Sequence, residues 1–109
     1  MPINTRELRL GNFVRVGDKI VKVNGITQHK IGYCPSPGRE TYARSRVVEP
    51  IAITKEIKER CHAMLSLNTD NGKYGVLLGS GFIDVEYLHD LQNQYYNHYH
   101  KELVIDLQI

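Results

Sequence analysis

The sequence has no long apolar run and only two cysteines. No segment approaches the roughly twenty consecutive apolar residues of a membrane-spanning helix. The first residues hold no apolar stretch long enough for a signal peptide. These absences predict a cytoplasmic protein without a membrane partner. Cys34 and Cys61 do not have the spacing of a metal-ligand pair. We predict two free thiols, because a reducing cytoplasm disfavours a disulfide.

Motifs of the common enzyme classes are also missing. There is no nucleophile elbow, no glycine-rich phosphate loop and no Cys–His pairing by motif. Gly79-x-Gly81 lacks a third glycine and a helix immediately after it, so a tight turn between strands explains it better. Asp84 and Glu86 complement the dipole of a predicted helix start. The sequence therefore predicts no enzymatic activity, no catalytic residue and no cofactor.

The segment "YLHDLQNQYYNHYHKEL", residues 87–103, concentrates three histidines and four tyrosines. A zinc site usually needs three or four ligands in a recognisable spacing, and H-x8-H-x-H has none. We therefore predict no metal site, although convergence of the three histidines stays open if the helix ends early. They are His89, His98 and His100.

A helix explains the tyrosines of the same segment. Leu88, Leu91, Tyr95 and Tyr99 follow one another at helical spacing and form one stripe. The tyrosine rings would cover a sheet while their hydroxyls reach solvent. His89 is expected off this stripe. The pattern therefore indicates the inner face of a helix rather than a binding site.

The length of 109 residues predicts a single domain, 1–109. A Gly17-Asp18 turn between two β-branched runs predicts a hairpin, residues 27–41 read as a loop or a long hairpin tip, and residues 42–48 suit a strand. A second hairpin is predicted at Asn71-Gly72, with a short strand, "FIDV", after it. Helices are predicted at about 55–64, capped by Thr54, and 86–100. Apolar alternation predicts a C-terminal strand, 103–109.

These elements together predict an α+β fold with a mostly antiparallel sheet, two helices and a β-rich N-terminal half. That N-terminal half is compatible with a small curled sheet of the SH3-like type. No internal repeat or low-complexity tract interrupts the chain.

Charge is distributed unevenly along the chain. Residues 1–46 hold nine Lys or Arg and three acids, a net +6, whereas residues 47–109 hold five against nine, a net −4. Such asymmetry can indicate an anionic partner such as nucleic acid. Two halves of one domain that attract each other, or head-to-tail self-association, explain it equally well.

Two tyrosines are interleaved among the basic residues of the N-terminal half. Basic groups contact phosphates and exposed tyrosines stack on bases, a combination that single-strand binders use. The alternative is the solvated polar face of a half-buried sheet, and the pI of 8.6 falls short of the usual basic footprint. The candidate nucleic-acid-binding residues are Arg15, Lys22, Lys30, Tyr33, Arg39, Tyr42, Arg44 and Arg46.

Several sequence blocks, taken in order, resemble one group of proteins. The blocks are "ELRLGNFV", "IVKVNGI", "PIAIT", "YLHDLQNQYY" and "KELVIDL". They resemble small uncharacterised proteins of gut Bacteroidetes, their prophages and other mobile elements. The chain departs from that group by lacking tryptophan and by having "NHYHKEL" where a Thr-Gly-Glu-Glu-Leu-like segment is expected. The resemblance implies a cytoplasmic accessory protein and no catalytic residues.

The sequence thus predicts a non-catalytic binding module, with nucleic acid bound through the basic N-terminal half. The alternative is a protein–protein interaction or self-assembling structural protein with no nucleic-acid role. Basic residues clustered on one face would favour the first function, whereas a large exposed tyrosine-rich patch would favour the second.

Overall fold

A computed structural model describes residues 3–107 of the chain. The described residues form two compact units, 3–51 and 52–107. They contain two α-helices and three antiparallel sheets of three strands each. The predicted α+β class with mostly antiparallel pairing is therefore confirmed. The single domain remains a prediction.

Unit 1, residues 3–51, is built from short strands and two 3-10 helices. The 3-10 helices are Thr5–Glu7 and Ser45–Val47. The strands are β1 (Phe13–Val16), β2 (Lys19–Lys22), β3 (Gly25–Ile26), β4 (Lys30–Ser36), β5 (Arg39–Arg44) and β6 (Val48–Glu49). They form two sheets, in which the strand orders are β2-β1-β6 and β3-β4-β5.

The predicted first hairpin is confirmed as β1 and β2. Gly17 takes a positive φ of 62° in the turn, a conformation that glycine adopts without steric cost. Val14 pairs with Val21, and both are buried in the core of unit 1. Arg15 and Lys22 lie on the opposite, exposed face, as the period of two predicts.

Of the two alternatives predicted for residues 27–41, an irregular loop and a long hairpin tip, the structure has the hairpin, which β4 and β5 form. Gly38 provides its turn with a φ of 78°. The register shifts between Tyr33 and Ser36, where Pro35 lacks an N–H to donate to the ladder. Gly38 therefore lies at the turn and Pro35 at the register shift. Gly32 lies beneath Tyr42, as described below.

The strand predicted over 42–48 is also corrected. β5 ends at Arg44, a 3-10 helix spans Ser45–Val47, and β6 begins at Val48. Alternation along the predicted strand would have placed Arg44 and Arg46 on one strand face. Arg46 lies instead in the 3-10 helix.

Unit 2, residues 52–107, packs a helix against one sheet. The elements are α1 (Lys55–Arg60), β7 (Leu65–Asn68), β8 (Lys73–Leu78), β9 (Gly81–Val85) and α2 (Leu88–Tyr99). The helix α2 contacts β8 and β9. The hairpin predicted at Asn71-Gly72 is confirmed as β7 and β8, and the short strand predicted after it is confirmed as β9. Neither helix combines the length and apolar character that crossing a membrane requires, among the residues described.

The first helix is capped as predicted but ends early. The hydroxyl of Thr54 accepts a hydrogen bond from the Ile57 N–H at 3.3 Å, which satisfies one of the free donors of the first turn. The helix ends at Arg60, not at residue 64, because Cys61 is extended and bridges to Ile105.

The second helix lies within its predicted span but buries a wider face. Leu88 and Leu91 are fully buried, as the stripe predicts. His89 is only 1% exposed, so its placement off the buried face was wrong. Its ring stacks on Tyr87, and its Nε2 lies 3.5 Å from Asp90 Oδ1. The helix ends before His100, which is left-handed with a φ of 56°.

The C-terminal strand predicted over 103–109 does not form within residues 103–107. Only Ile105 forms a β-bridge there, with Cys61, while the Asp106 N–H donates to the Arg60 carbonyl at 2.8 Å. The segment pairs only with residues 60–62, which is too short a partner for a ladder. Leu103 is nevertheless buried, as its alternation predicts. Residues 108 and 109 lie outside the described part of the chain.

The two thiols differ in their surroundings, and this difference predicts a difference in reactivity. Cys34 is exposed on β4, whereas Cys61 is half-buried. Burial disfavours the charged thiolate and raises the pKa of Cys61 from 9.0 to about 11. Because the thiolate is the nucleophile, iodoacetamide should label Cys34 well before Cys61 at pH 8. The labelling rate of Cys61, followed by peptide mass spectrometry, should rise until about pH 11.

The same pKa shift links stability to pH. The pKa of Cys61 is raised in the folded state, so its contribution to stability is fully present below about pH 9 and is lost as the pH rises towards 11. Labelling in denaturant is the control, since both thiols are then exposed and should react alike. Equal labelling rates in the folded protein would contradict the prediction.

Candidate nucleic-acid interface

The outward face of β4 and β5 brings three of the predicted residues together. Lys30 lies directly opposite Arg44, and Gly32 lies directly opposite Tyr42. Ile31 and Ala43 alternate with them and point into the core of unit 1. Because neighbouring residues of a strand point to opposite faces, the other set faces solvent. We call Lys30, Tyr42 and Arg44 the basic face.

Tyr42 lies over two glycines of this sheet. A Cβ added to Gly32 would lie 3.1 Å from Tyr42 Cε1 and 2.9 Å from Asn24 Oδ1, and one added to Gly25 would lie 3.7 Å from the tyrosine ring. At Gly32 a side chain would crowd the ring, whereas at Gly25 it would meet the ring at an ordinary contact distance. Tyr42 is still 58% exposed. The ring is therefore supported from below and open to a ligand from above.

Lys30 and Arg44 form a like-charge pair across the two strands. Among the described residues, neither side chain takes part in an ion pair. Like charges placed directly opposite each other destabilise a sheet, whereas an opposite pair contributes roughly 0.2–1 kcal/mol. This arrangement is unfavourable for the isolated fold and is relieved when an anion lies between the two cations.

A pocket of about 450 Å³ opens beside this pair. No acidic residue lines it, and its Lys and Arg side chains come from the start of β4, from the end of β5 and from the second 3-10 helix. We call it the basic pocket; its lining residues are His29, Lys30, Arg44, Ser45 and Arg46.

Backbone hydrogen bonds hold the walls of the basic pocket. The Ser45 N–H donates to the His29 carbonyl at 2.7 Å, and the Thr27 N–H donates to the Lys30 carbonyl at 2.9 Å. The Thr5 hydroxyl donates to the Gln28 carbonyl at 3.0 Å. Hydrogen bonds from Thr5 and from Ser45 therefore hold the backbone that leads into β4, and this backbone positions the side chains of His29 and Lys30.

The other predicted residues lie elsewhere. Tyr33 packs against the core of unit 1, and Arg39 alternates with Tyr42, so neither shares the basic face. Arg15 and Lys22 lie on the β1–β2 hairpin, where Arg15 is opposite Glu49. Arg46 lines the basic pocket from the 3-10 helix rather than from a strand.

Sequence reasoning missed two residues of the basic pocket. His29 and Ser45 adjoin Lys30 and Arg44 in the chain, but only the strand register brings these two ends together. Glu40 lies two residues before Tyr42 on β5 and therefore on the same face as Tyr42 and Arg44. It places a negative charge towards the hairpin tip, so the cationic region is limited to the end of the hairpin near residue 44.

Metal chemistry has no comparable cluster. Across residues 3–107, no group of three or more His, Cys, Asp or Glu side chains is placed to hold an ion. His62 contacts one carboxylate, with Nε2 at 2.8 Å from Asp106 Oδ2. Both side chains are mainly exposed, so this surface pair joins the C-terminal segment to the residues after α1.

In comparisons with protein-family models, curated proteins and solved structures, nothing matches the chain. The resemblance to small proteins of gut Bacteroidetes and their mobile elements therefore remains a prediction.

Proposed function

We propose that this protein is a non-catalytic binding module for single-stranded nucleic acid. The observation that carries the proposal is the placement of Lys30, Tyr42 and Arg44 on one exposed face of the β4–β5 hairpin. Two cations for the phosphate backbone lie opposite each other, next to an aromatic ring for a base on the same face, which is the pairing of groups that sequence-tolerant single-strand binders use.

The electrostatics of unit 1 support the same proposal. Residues 3–51 hold nine Lys or Arg against four acids, a net +5, whereas residues 52–107 hold five against eight, a net −3. The positive charge is thus concentrated in the unit that contains the basic face. A positively charged surface attracts a polyanion over a range set by the ionic strength.

We further propose that unit 1 is an SH3-like barrel and that the protein is a cytoplasmic accessory of mobile elements. The strand connections support the first part, because β6 follows a 3-10 helix and returns to pair with β1. The Val23 N–H donates to the Asn12 carbonyl, and the Asn24 N–H donates to the Gly32 carbonyl, so pairing continues from β2 into β3. The sequence blocks described above support the second part.

Fluorescence anisotropy with labelled single-stranded and double-stranded oligonucleotides tests the proposed function. Measured at low and near-physiological salt, affinity should fall steeply as salt rises, because phosphate contacts release counterions. Single strands should bind more tightly than duplexes, since only unpaired bases can stack on Tyr42.

The variant Arg44→Glu should change binding and stability in opposite directions. It removes a cation from the basic face and places a carboxylate opposite Lys30, so we expect affinity to fall at least about tenfold. The free energy of unfolding should rise by roughly 0.2–1 kcal/mol, because the like-charge pair becomes an opposite pair. Anisotropy and urea denaturation measure the two effects.

Lys19→Glu is the matched control for Arg44→Glu. It makes the same change in net charge within unit 1, but Lys19 is exposed on β2 opposite Val16. It should reduce affinity much less. Equal losses in the two variants would mean that net charge alone attracts the oligonucleotide, and the basic face would then have no special role.

One observation favours protein association as a second candidate function. Leu77 lies opposite Phe82, and its N–H donates to the Met64 carbonyl at 2.9 Å, which aligns Leu77 of β8 with Phe82 of β9 and with Met64, the residue just before β7. Met64 and Phe82 are 63% and 54% exposed. Exposed apolar residues in a row are typical of contact surfaces. If no oligonucleotide binds even at low salt, association through this row becomes the better-supported function.

A further inference from the structure

We infer that the basic pocket binds a terminal phosphate monoester of a single strand, with the adjoining base on Tyr42. This inference rests on the proposed function and specifies which part of a strand the module recognises. The basic face alone could bind an internal phosphate of a strand. The charge and the shape of the basic pocket favour a terminal phosphate instead.

The first argument is charge. Lys30, Arg44 and Arg46 line the basic pocket together with His29, and no carboxylate does. Three permanent cations exceed what one internal phosphodiester needs, since that group carries a single negative charge. A phosphate monoester carries about −1.5 to −2 charges near pH 7 and has three strong acceptor oxygens. Its charge and acceptors match the basic pocket better.

The second argument is shape. The basic pocket is a concavity of about 450 Å³ at the end of the β4–β5 hairpin rather than a groove along it. The Glu40 carboxylate lies further along β5, on the same alternation as Tyr42 and Arg44, and would repel a backbone that continued towards the hairpin tip. A nucleic-acid strand whose end lies in the basic pocket places only one phosphate there.

The third argument is the spacing of the two binding groups. Tyr42 and Arg44 are two residues apart on the same face of β5, which corresponds to about 6.6 Å along a strand. The phosphate and the base of one nucleotide can therefore contact both groups at once. Lys30 completes the phosphate site from the opposite strand, and the Ser45 hydroxyl supplies a further donor at the lining of the basic pocket.

The experiment compares three oligonucleotides of one sequence that differ only at their ends. One carries a 5′-phosphate, one a 3′-phosphate, and one has hydroxyls at both ends; each competes with the same labelled strand in anisotropy measurements at near-physiological salt. We expect one of the phosphorylated strands to bind about tenfold more tightly than the strand with hydroxyl ends. The reason is that the terminal phosphate accepts additional charge-assisted hydrogen bonds from the basic pocket. The two phosphorylated arms show which end is recognised.

Arg46→Gln is the specific variant, because Arg46 lines the basic pocket but does not share the strand face of Tyr42. It should abolish the tenfold preference, because it should weaken the phosphorylated strand much more than the hydroxyl-ended strand. Lys22→Gln, on the β1–β2 hairpin, is the control and should keep the preference. Arg46 is exposed, so the variant should fold, and its thermal unfolding verifies this.

The possible results separate this inference from the proposed function. If all three strands bind equally and Arg46→Gln weakens them alike, terminal recognition is wrong while single-strand binding stands. If no strand binds, both proposals fail. A phosphopeptide that competes better than the phosphorylated strands would also overturn terminal recognition, because the basic pocket would then serve a protein ligand.

Discussion

Replacing Leu91 with alanine should lower the free energy of unfolding by about 2–5 kcal/mol. Leu91 is fully buried on α2, the helix that packs against β8 and β9. The substitution removes apolar surface from the core of unit 2 and leaves a cavity that the surrounding side chains fill only in part. Since a small protein has only about 5–15 kcal/mol of stability, the loss should be visible as a large fall in the urea midpoint.

Gln94→Ala is the matched control for Leu91→Ala. Gln94 lies on the same helix but is exposed, and alanine has the higher helix propensity. Its urea midpoint, followed by far-UV circular dichroism, should stay within about 0.5 kcal/mol of the unmodified protein. A similar loss in both variants would mean that α2 is not packed through Leu91.

Replacing Ile31 with alanine should destabilise unit 1 by about 2–5 kcal/mol. Ile31 is fully buried and lies opposite Ala43 on the inner face of the β4–β5 hairpin. Its chain neighbours Lys30 and Gly32 belong to the outward face of the same strand. The side chain that anchors β4 to the core therefore also holds the cation and the glycine on which the basic face depends.

A graded pair of variants tests whether packing at Ile31 is responsible. Ile31→Val deletes one methylene and should lose only about 0.5–1.5 kcal/mol, well below the loss for Ile31→Ala. Chemical denaturation measures both. Under conditions where Ile31→Val is fully folded, it should bind oligonucleotides like the unmodified protein, because the outward face is unchanged. A loss of binding without a loss of stability would show that Ile31 acts on the site in some other way.

The like-charge pair of Lys30 and Arg44 connects stability with the proposed function. Two cations directly opposite each other cost the isolated sheet free energy, and no ion pair among the described residues offsets that cost. A solvated polar face could avoid the cost by alternating its charges. We infer that an anionic ligand provides the missing counter-charge, which is why Arg44→Glu should stabilise the fold while weakening binding.

The amino-acid sequence determined the elements with strong local signals. Gly17-Asp18 and Asn71-Gly72 predicted two hairpins, because their conformational preferences operate within four residues. Thr54 predicted the start of α1 through a hydrogen bond three residues away. The spacing of Leu88 and Leu91 predicted the buried face of α2. These features need no distant partner, and the α+β class follows from them.

Other features of the fold depended on distant pairing, which local patterns do not contain. For residues 27–41 the sequence left a loop and a long hairpin tip open, because their glycines and prolines meet tertiary demands, such as the room that Gly32 leaves for Tyr42. The segment 103–107 alternated like a strand, but its only described partner is the short stretch 60–62. His89 was buried by a helix face wider than the apolar stripe.

The candidate site also has some features that the sequence determined and others that depend on the tertiary structure. The sequence alone determined that cations are concentrated in the N-terminal half, with two tyrosines among them, because composition needs no fold. Only the tertiary structure decided that Lys30, Tyr42 and Arg44 share one face while Tyr33 turns inward. The physical reason is strand register: a shift of one residue reverses every side chain to the other face, and the register is determined by the packing of Ile31 and Ala43 in the core.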